Sequence, residues 1–299
     1  MAQPIISLDW GSTHFRAVFS NPGQALQRVE GERGLTRLQS DGFEAAFYQG
    51  CGGWLEEAPD SLIVVSGMAG ARGGWLETGY LETPVGIEDL RKGAMSLVSE
   101  RGHKIYILPG VRCFNPELDL MRGEETQVLG ALSEMNLGDG LFCLPGTHSK
   151  WVICKGENMV QFASFVTGEL FEVLTNHAPL IVSRAGARQF CEKSFEMGFE
   201  RSGDEGNLLR HLFSVRSRFL SGSLTEEQRT EYLSGLVIGN EVRSAAAWCG
   251  AGTVHLIGSG PLTMRYSLAL ERLGREVSIL EGDFPLTTAR AFAALGGMS

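Results

Sequence analysis

Apolar residues in this chain fall into short runs of two kinds. Ile5-Ile6-Ser7-Leu8 is nearly continuous, whereas Phe15 to Ser20 alternates and sets Phe15, Ala17 and Phe19 on one face. The first pattern predicts a buried strand, the second a half-buried one. A weaker strand follows over 25–30, then a helix over 41–57, buried strands over 62–65 and 104–108, and helical character over 87–101 between them. Val128, Leu132 and Met135 recur at one-face spacing, which predicts a helix over 123–135. Glu124 and Glu125 fall in its first turn, where the helix dipole favours acids. Strands are then expected at 141–144, 151–154 and 160–166, and a helix from about 169. The chain closes with a strand at 254–257, a helix over 262–273 stopped by Gly274, a strand at 277–280, and a helix over 287–295 stopped by Gly296.

Each half thus reads strand-strand-strand-helix-strand-helix-strand-helix. Two copies of one α/β unit predict two similar domains facing a cleft. The first is expected over 1–138 together with the C-terminal helix 286–299, the second over 139–285 with a helical insertion over about 179–248. Within the insertion, Thr225-Glu226-Glu227-Gln228 reads as a capping box, and Leu233, Leu236 and Val237 as the buried stripe of the helix it starts. The helix over 123–135 and the last helix are expected to cross between the halves.

Composition narrows the function classes. A chain of 299 residues with 43% hydrophobic content can bury one large core or two medium ones. A formal net charge of −9 argues against a general nucleic-acid or anionic-membrane surface. The six cysteines form no C-x-x-C pair and read as scattered reduced thiols. No basic leader, cleavage site or membrane-length apolar stretch is visible, so a cytoplasmic location is expected.

The candidate chemistry lies at strand ends. Leu8-Asp9-Trp10-Gly11-Ser12-Thr13 ends one strand and turns into the next. Gly11 admits an anion close to the backbone, Ser12 and Thr13 donate to phosphate oxygens, and Asp9 can hold Mg²⁺, usually through water. An ordinary hairpin with a turn aspartate is the alternative. Pro145-Gly146-Thr147-His148-Ser149-Lys150 repeats the device with a lysine, so the two turns would hold the β- and γ-phosphates between them. Gly258-Ser259-Gly260 follows a strand and precedes a helix, a turn that can lie flat against a base or ribose. Phosphoryl transfer rests on positioning and charge more than on covalent help. A carboxylate that accepts the hydroxyl proton is still useful: Glu124 is the candidate base and Glu125 the reserve, unless both serve only the helix dipole. An organic acid would need a guanidinium, from Arg16, Arg72 or Arg122. Ser66, Gly67 and Met68 follow a buried strand, a favoured place for a ligand loop. Trp10 and Trp75 either wall the pocket or pack in the core.

The stretches "LDWGSTHFRA", "SGMAGARGGW", "MRGEETQ", "PGTHSKWV", "TGELFEVLTNH", "YLSGLVIGNEV" and "LTMRY" run nearly end to end. With them the sequence resembles the 2-dehydro-3-deoxygalactonokinase family, within the superfamily of sugar kinases, actin and heat-shock chaperone ATPases. The resemblance implies a duplicated actin-like ATPase fold (ribonuclease H-like), with the sugar acid on the first domain and the nucleotide on the second. It implies ATP and Mg²⁺ as cofactors and transfer to the terminal hydroxyl of 2-dehydro-3-deoxy-D-galactonate, giving the 6-phosphate for an aldolase in galactonate catabolism. Asp9 would be the metal-associated acid, residues 145–150 the second phosphate motif and residues 256–263 the adenosine motif. Many sugar kinases carry a catalytic aspartate where Glu124 stands. Gly258-Ser259-Gly260 replaces the adjacent glycines of many relatives. An epimeric acceptor derived from gluconate and an exopolyphosphatase-type phosphohydrolase are the competing readings. A small sugar acid is the expected partner, with no nucleic acid or membrane, and a homodimer is one open option.

Overall fold

The computed structural model describes residues 3–12, 14–31, 34, 42–114, 117–178 and 190–295. Thr13, the expected insertion start at 179 and the helix stop at Gly296 lie outside the described residues. By its contacts the chain divides into two compact units, Met1–Gly140 with Val152–Phe162 and Gly282–Ser299, and Leu141–Trp151 with Ala163–Glu281. It is an α/β protein with mixed sheets. Among the described residues no helix is long and apolar enough to cross a membrane.

The first unit opens with β1 (Ile5–Trp10), β2 (Phe15–Ser20), β3 (Gln27–Gly31), α1 (Gly42–Glu57) and β4 (Leu62–Gly67). There follow β5 (Tyr80–Glu82), α2 (Ile87–Gly93), β6 (Met95–Val98), β7 (Lys104–Ile107), β8 (Gly110–Phe114), β9 (Leu118–Met121) and α3 (Glu124–Glu134). Six strands form one sheet in the order β3-β2-β1-β4-β7-β6, with β4 parallel to β1 and β7, and β2 antiparallel to β1. One face carries Ile6, Leu8, Trp10, Phe15, Ala17 and Phe19, which pack with Phe43, Phe47, Cys51 and Trp54 of α1. Each large side chain fully buried there contributes about 1.5–3 kcal/mol before the entropy cost of ordering.

Two parts of this unit depart from the sequence reading. The helical character expected over 87–101 ends at Gly93, and β6 then pairs antiparallel with β7. A side chain at Gly93 would press on Leu81 and Pro109, and the next four residues alternate so that Leu97 packs against the core. Strands β5, β8 and β9 form a separate three-stranded sheet with no sequence forecast. Their runs are short, and Tyr80, Phe114, Leu118 and Leu120 are exposed, so the alternation of Val111 and Cys113 in β8 was too brief to mark them.

The rest of the chain supplies β10 (Asp139–Leu144), β11 (Ser149–Lys155), β12 (Asn158–Phe165), α4 (Thr167–His177), α5 (Glu192–Ser202), α6 (Leu208–Leu220) and α7 (Gln228–Cys249). It ends with β13 (Val254–Ile257), α8 (Gly260–Arg272), β14 (Val277–Leu280) and α9 (Phe284–Ala294). The second sheet runs β12-β11-β10-β13-β14, with β13 parallel to both its neighbours. Helix α7 starts three residues after the expected cap, and the Gln228 side chain reaches back to accept from the Thr225 backbone N–H at 2.9 Å. Helices α3 and α9 both belong to the first unit, where α9 packs on α3 and β1.

Candidate active site

In the first unit the end of β1 meets the start of α3. Strand register sets Asp9 beside Arg16 on β2 and Ser66 on β4. Side chains alternate along a strand, so Asp9 and Trp10 take opposite faces. Trp10 is 0% exposed and packs against Phe15, Phe43 and Trp75. The expectation that Trp10 walls a pocket is therefore corrected: it is a core residue, and only Trp75 keeps partial exposure.

Asp9 faces a backbone surface built from two glycines. Gly67 adopts φ 84° and Gly123 φ 112°, conformations that L side chains rarely hold. A Cβ on Gly67 would stand 2.5 Å from the Trp10 carbonyl oxygen, and one on Gly123 would stand 3.5 Å from Asp9 Oδ1. Both positions thus need glycine for β1, β4 and α3 to converge. Gln127, one turn into α3, points its Nε2 at Asp9 Oδ2 from 3.5 Å. Ser66 donates to the Leu8 carbonyl at 3.0 Å and is buried, so its hydroxyl braces β1.

The two glutamates differ in setting. Glu124 is partly exposed, and its Oε2 accepts from the Arg122 backbone N–H at 3.1 Å. Glu125 is 0% exposed; its Oε2 accepts from the Gly123 N–H at 2.7 Å, while Oε1 is buried with no hydrogen-bond partner. Burial, reinforced by the Glu124 charge, pushes the Glu125 carboxyl up to about 8. Burial also pushes Asp9 up to about 6; the Arg16 charge opposes this and the Glu124 charge adds to it.

Among the guanidinium candidates, Arg72 is exposed beside the partly buried Met68 turn. Arg16 is exposed and lies 3.9 Å from Glu30. Arg122 is partly exposed, with its guanidinium terminus engaged by the chain. It donates to Thr78 Oγ1 at 2.6 Å, Thr78 O at 2.9 Å and Gly79 O at 3.1 Å, and lies over the Tyr80 ring.

In the second unit the turn between β10 and β11 exposes Thr147 and His148, with Gly146 half-buried. Glu169, in the first turn of α4, donates its N–H to the Thr147 carbonyl at 3.0 Å and its carboxylate meets His148 Nε2 at 2.7 Å. A side chain on Gly168 would overlap the Gly146 carbonyl, whereas one on Gly146 would meet no protein atom within 4 Å. The expectation that Ser149 holds phosphate is corrected, whereas Lys150 keeps its ammonium at the turn. Ser149 is 0% exposed and bonds Glu241, and Lys150 is 4% exposed with its ammonium on the His148 carbonyl at 3.0 Å. Both stand in β11; Ser149 faces inward to Glu241, while the Lys150 side chain returns to the turn.

Gly258, Ser259 and Gly260 link β13 to α8, with φ 140° and 81° at the two glycines. Ser259 and Gly260 border a cavity of about 270 Å³ whose walls include Thr263, Met264, Ile279 and Glu281. Two residues escaped the sequence reading. Gln127 follows Glu124 by three and so shares its helix face, a spacing signal that was present. Glu241 is an acid on the buried stripe of α7, beside Ile238, Val242 and Ala245.

The first unit thus brings the Asp9 and Glu124 carboxylates to a strand end and a helix start, and the second carries an open glycine turn. The family model for 2-keto-3-deoxy-galactonokinase matches residues 9–292, and the chain belongs to that family. It is 36% identical over 300 residues to a Rhizobium meliloti (strain 1021) protein named as a 2-dehydro-3-deoxygalactonokinase, covering 96% of this chain and 95% of the other. It is 33% identical over 285 residues to the Escherichia coli (strain K12) 2-dehydro-3-deoxygalactonokinase, covering 95% and 94%. A Sinorhizobium meliloti crystal structure carrying the same enzyme name superposes with a TM-score of 0.85 at 32% identity, over 98% of this chain and 96% of that one. The activator of the 2-hydroxyisocaproyl-CoA dehydratase from Clostridium difficile, solved with bound ADPNP, shares the fold at a TM-score of 0.51 and 14% identity, over 99% and 94%.

Proposed function

We propose that this chain is an ATP-dependent kinase that phosphorylates the terminal hydroxyl of 2-dehydro-3-deoxy-D-galactonate. The carrying observation is the convergence of Asp9, Gly67 and Gly123 at the start of α3 in a chain of this family, with a partly exposed Glu124 beside them. Glu124 is the base that accepts the hydroxyl proton. Glu125 is unsuited to that task, because a carboxyl held near 8 is mostly protonated at neutral pH and its inner oxygen is sealed from solvent. Arg72, exposed on the turn after β4, is the guanidinium for the acceptor carboxylate.

The nucleotide reading rests on the second unit. Gly146, Thr147 and His148 present the open turn to phosphate, and the cavity beside Ser259 and Gly260 suits the adenosine. Asp9 fits Mg²⁺ held through water: its carboxyl is raised by burial, a state that a nearby cation would relieve. Mg²⁺ would neutralise phosphate charge. The shared order of each sheet, β3-β2-β1-β4-β7 and β12-β11-β10-β13-β14, supports a duplicated actin-like architecture with α5, α6 and α7 as the insertion.

A coupled ATP-turnover assay over a panel of 2-keto-3-deoxy acids tests the reading. Turnover is expected with the galactonate-derived acid, and Glu124→Gln should lower kcat by roughly 10²–10⁴-fold. Preference for the gluconate-derived epimer would change the substrate, ATP hydrolysis without any acid would point to a phosphohydrolase, and full activity in Glu124→Gln would remove the base.

A further inference from the structure

One buried carboxylate in the second unit has no part in the chemistry above. Glu241 lies mid-way along α7, 3% exposed. Its Oε1 accepts from Trp151 Nε1–H at 2.9 Å. Its Oε2 accepts from the Tyr266 hydroxyl at 2.6 Å and the Ser149 hydroxyl at 3.1 Å. The Thr167 hydroxyl also hydrogen-bonds it. Burial pushes the carboxyl up, and these four bonds pull it back down.

The donors come from three elements, and their placement is not scattered. Ser149 and Trp151 open β11 directly after the glycine turn. Thr167 opens α4, whose next residue, Gly168, lies so close to Gly146 that a side chain would overlap its carbonyl, and whose Glu169 N–H holds Thr147. Tyr266 sits on α8, the helix that starts at Gly260. A core that needed only bulk would be served as well or better by apolar residues. A fully satisfied buried network instead fixes one arrangement of the groups that share it.

We infer that Glu241 is a positioning residue for nucleotide: it fixes both flanks of the Gly146–His148 turn and ties them to the helix that follows Gly258-Ser259-Gly260. The inference rests on the reading of that turn as a phosphate grip. Loss of the carboxylate therefore weakens ATP and spares the sugar acid. Gln at this position keeps an acceptor for Trp151, while its amide donates to the Ser149 and Tyr266 oxygens, which reverse their roles as hydroxyls can.

The test uses the full chain, with folding checked by thermal melting and the Kd for MgADP measured by calorimetry beside both KM values. Glu241→Leu should raise the ATP KM and MgADP Kd by about tenfold to a hundredfold, with the acceptor KM within twofold. Glu241→Gln should stay close to the parent. Should Glu241→Leu fail to fold, Tyr266→Phe, which removes one bond and keeps the carboxylate, should still raise the MgADP Kd about threefold. A folded Glu241→Leu with unchanged MgADP binding, a parallel rise in both KM values, Glu241→Gln as impaired as Glu241→Leu, or Tyr266→Phe with unchanged MgADP binding would overturn the inference. Gly146→Val separates the two readings, since a Cβ at this position meets no protein atom within 4 Å. If it leaves MgADP binding intact, the turn is not the phosphate grip; if it abolishes binding while Glu241→Leu does not, only the role of Glu241 falls.

Discussion

Replacing Glu125 with glutamine should make the protein more stable at neutral pH without stopping catalysis. In the fold its carboxyl is pushed from the ordinary 4.5 to about 8, chiefly by burial. At pH 7 the unfolded glutamate is almost wholly ionised, while the folded one is mostly protonated. The folded state therefore binds more protons, and stability falls as pH rises from about 4.5 and levels off above about 8. The accumulated loss at pH 7 is about 3 kcal/mol, from 1.36 kcal/mol per pH unit. Glutamine resembles the protonated acid in shape, can accept from the Gly123 N–H in the same way, and carries no titrating group. Glu125→Gln should thus match the parent near pH 4 and exceed it by about 3 kcal/mol at pH 7. Urea unfolding across pH 4–8, followed by tryptophan fluorescence, reads the difference, and kcat should stay within a few-fold. A variant no more stable at pH 7, or an advantage that does not shrink on acidification, would mean that Glu125 is ionised in the fold. A collapse of kcat with normal folding would make Glu125 the base in place of Glu124.

Two further substitutions separate packing from chemistry. Trp10→Ala should cost about 3–5 kcal/mol, read by denaturant midpoint, because the side chain is sealed among Phe15, Phe43 and Trp75; a loss confined to acceptor KM would restore it to the pocket. Gly168→Ala should destabilise by about 1–3 kcal/mol and raise the ATP KM, since the new methyl displaces α4 from the Gly146 carbonyl; an unchanged melting temperature would refute the close contact.

The sequence carried the strands and helices whose burial follows one period. Phe15, Ala17 and Phe19 announce β2, and Val128 and Leu132 announce α3, because packing against a single neighbour leaves a regular stripe. It did not carry β5, β8 and β9, whose exposed Tyr80, Phe114 and Leu118 interrupt a stripe no longer than Val111 and Cys113. The family and the position of Asp9 before Gly11 were legible from local motifs. Side-chain direction was not. Trp10 and Ser149 sit in the expected motifs, yet strand alternation turns Trp10 into the core and a distant partner holds Ser149 inward: Ser149 and Glu241 are 92 residues apart. Glu124 and Glu125 are adjacent in the chain, and only the three-dimensional setting shows one open and the other sealed.

The last helix has a bearing on how this molecule is made. Helix α9 presses on α3 so closely that a side chain at Gly130 would overlap the Phe284 carbonyl, and Thr288 donates to the Thr126 carbonyl 162 residues upstream. During synthesis, the helix that presents Glu124 waits for its supporting neighbour until nearly all of the intervening chain has left the ribosome. A nascent product that lacks α9 would leave the apolar side of α3 uncovered, so that phosphoryl-transfer competence waits on the synthesis of α9.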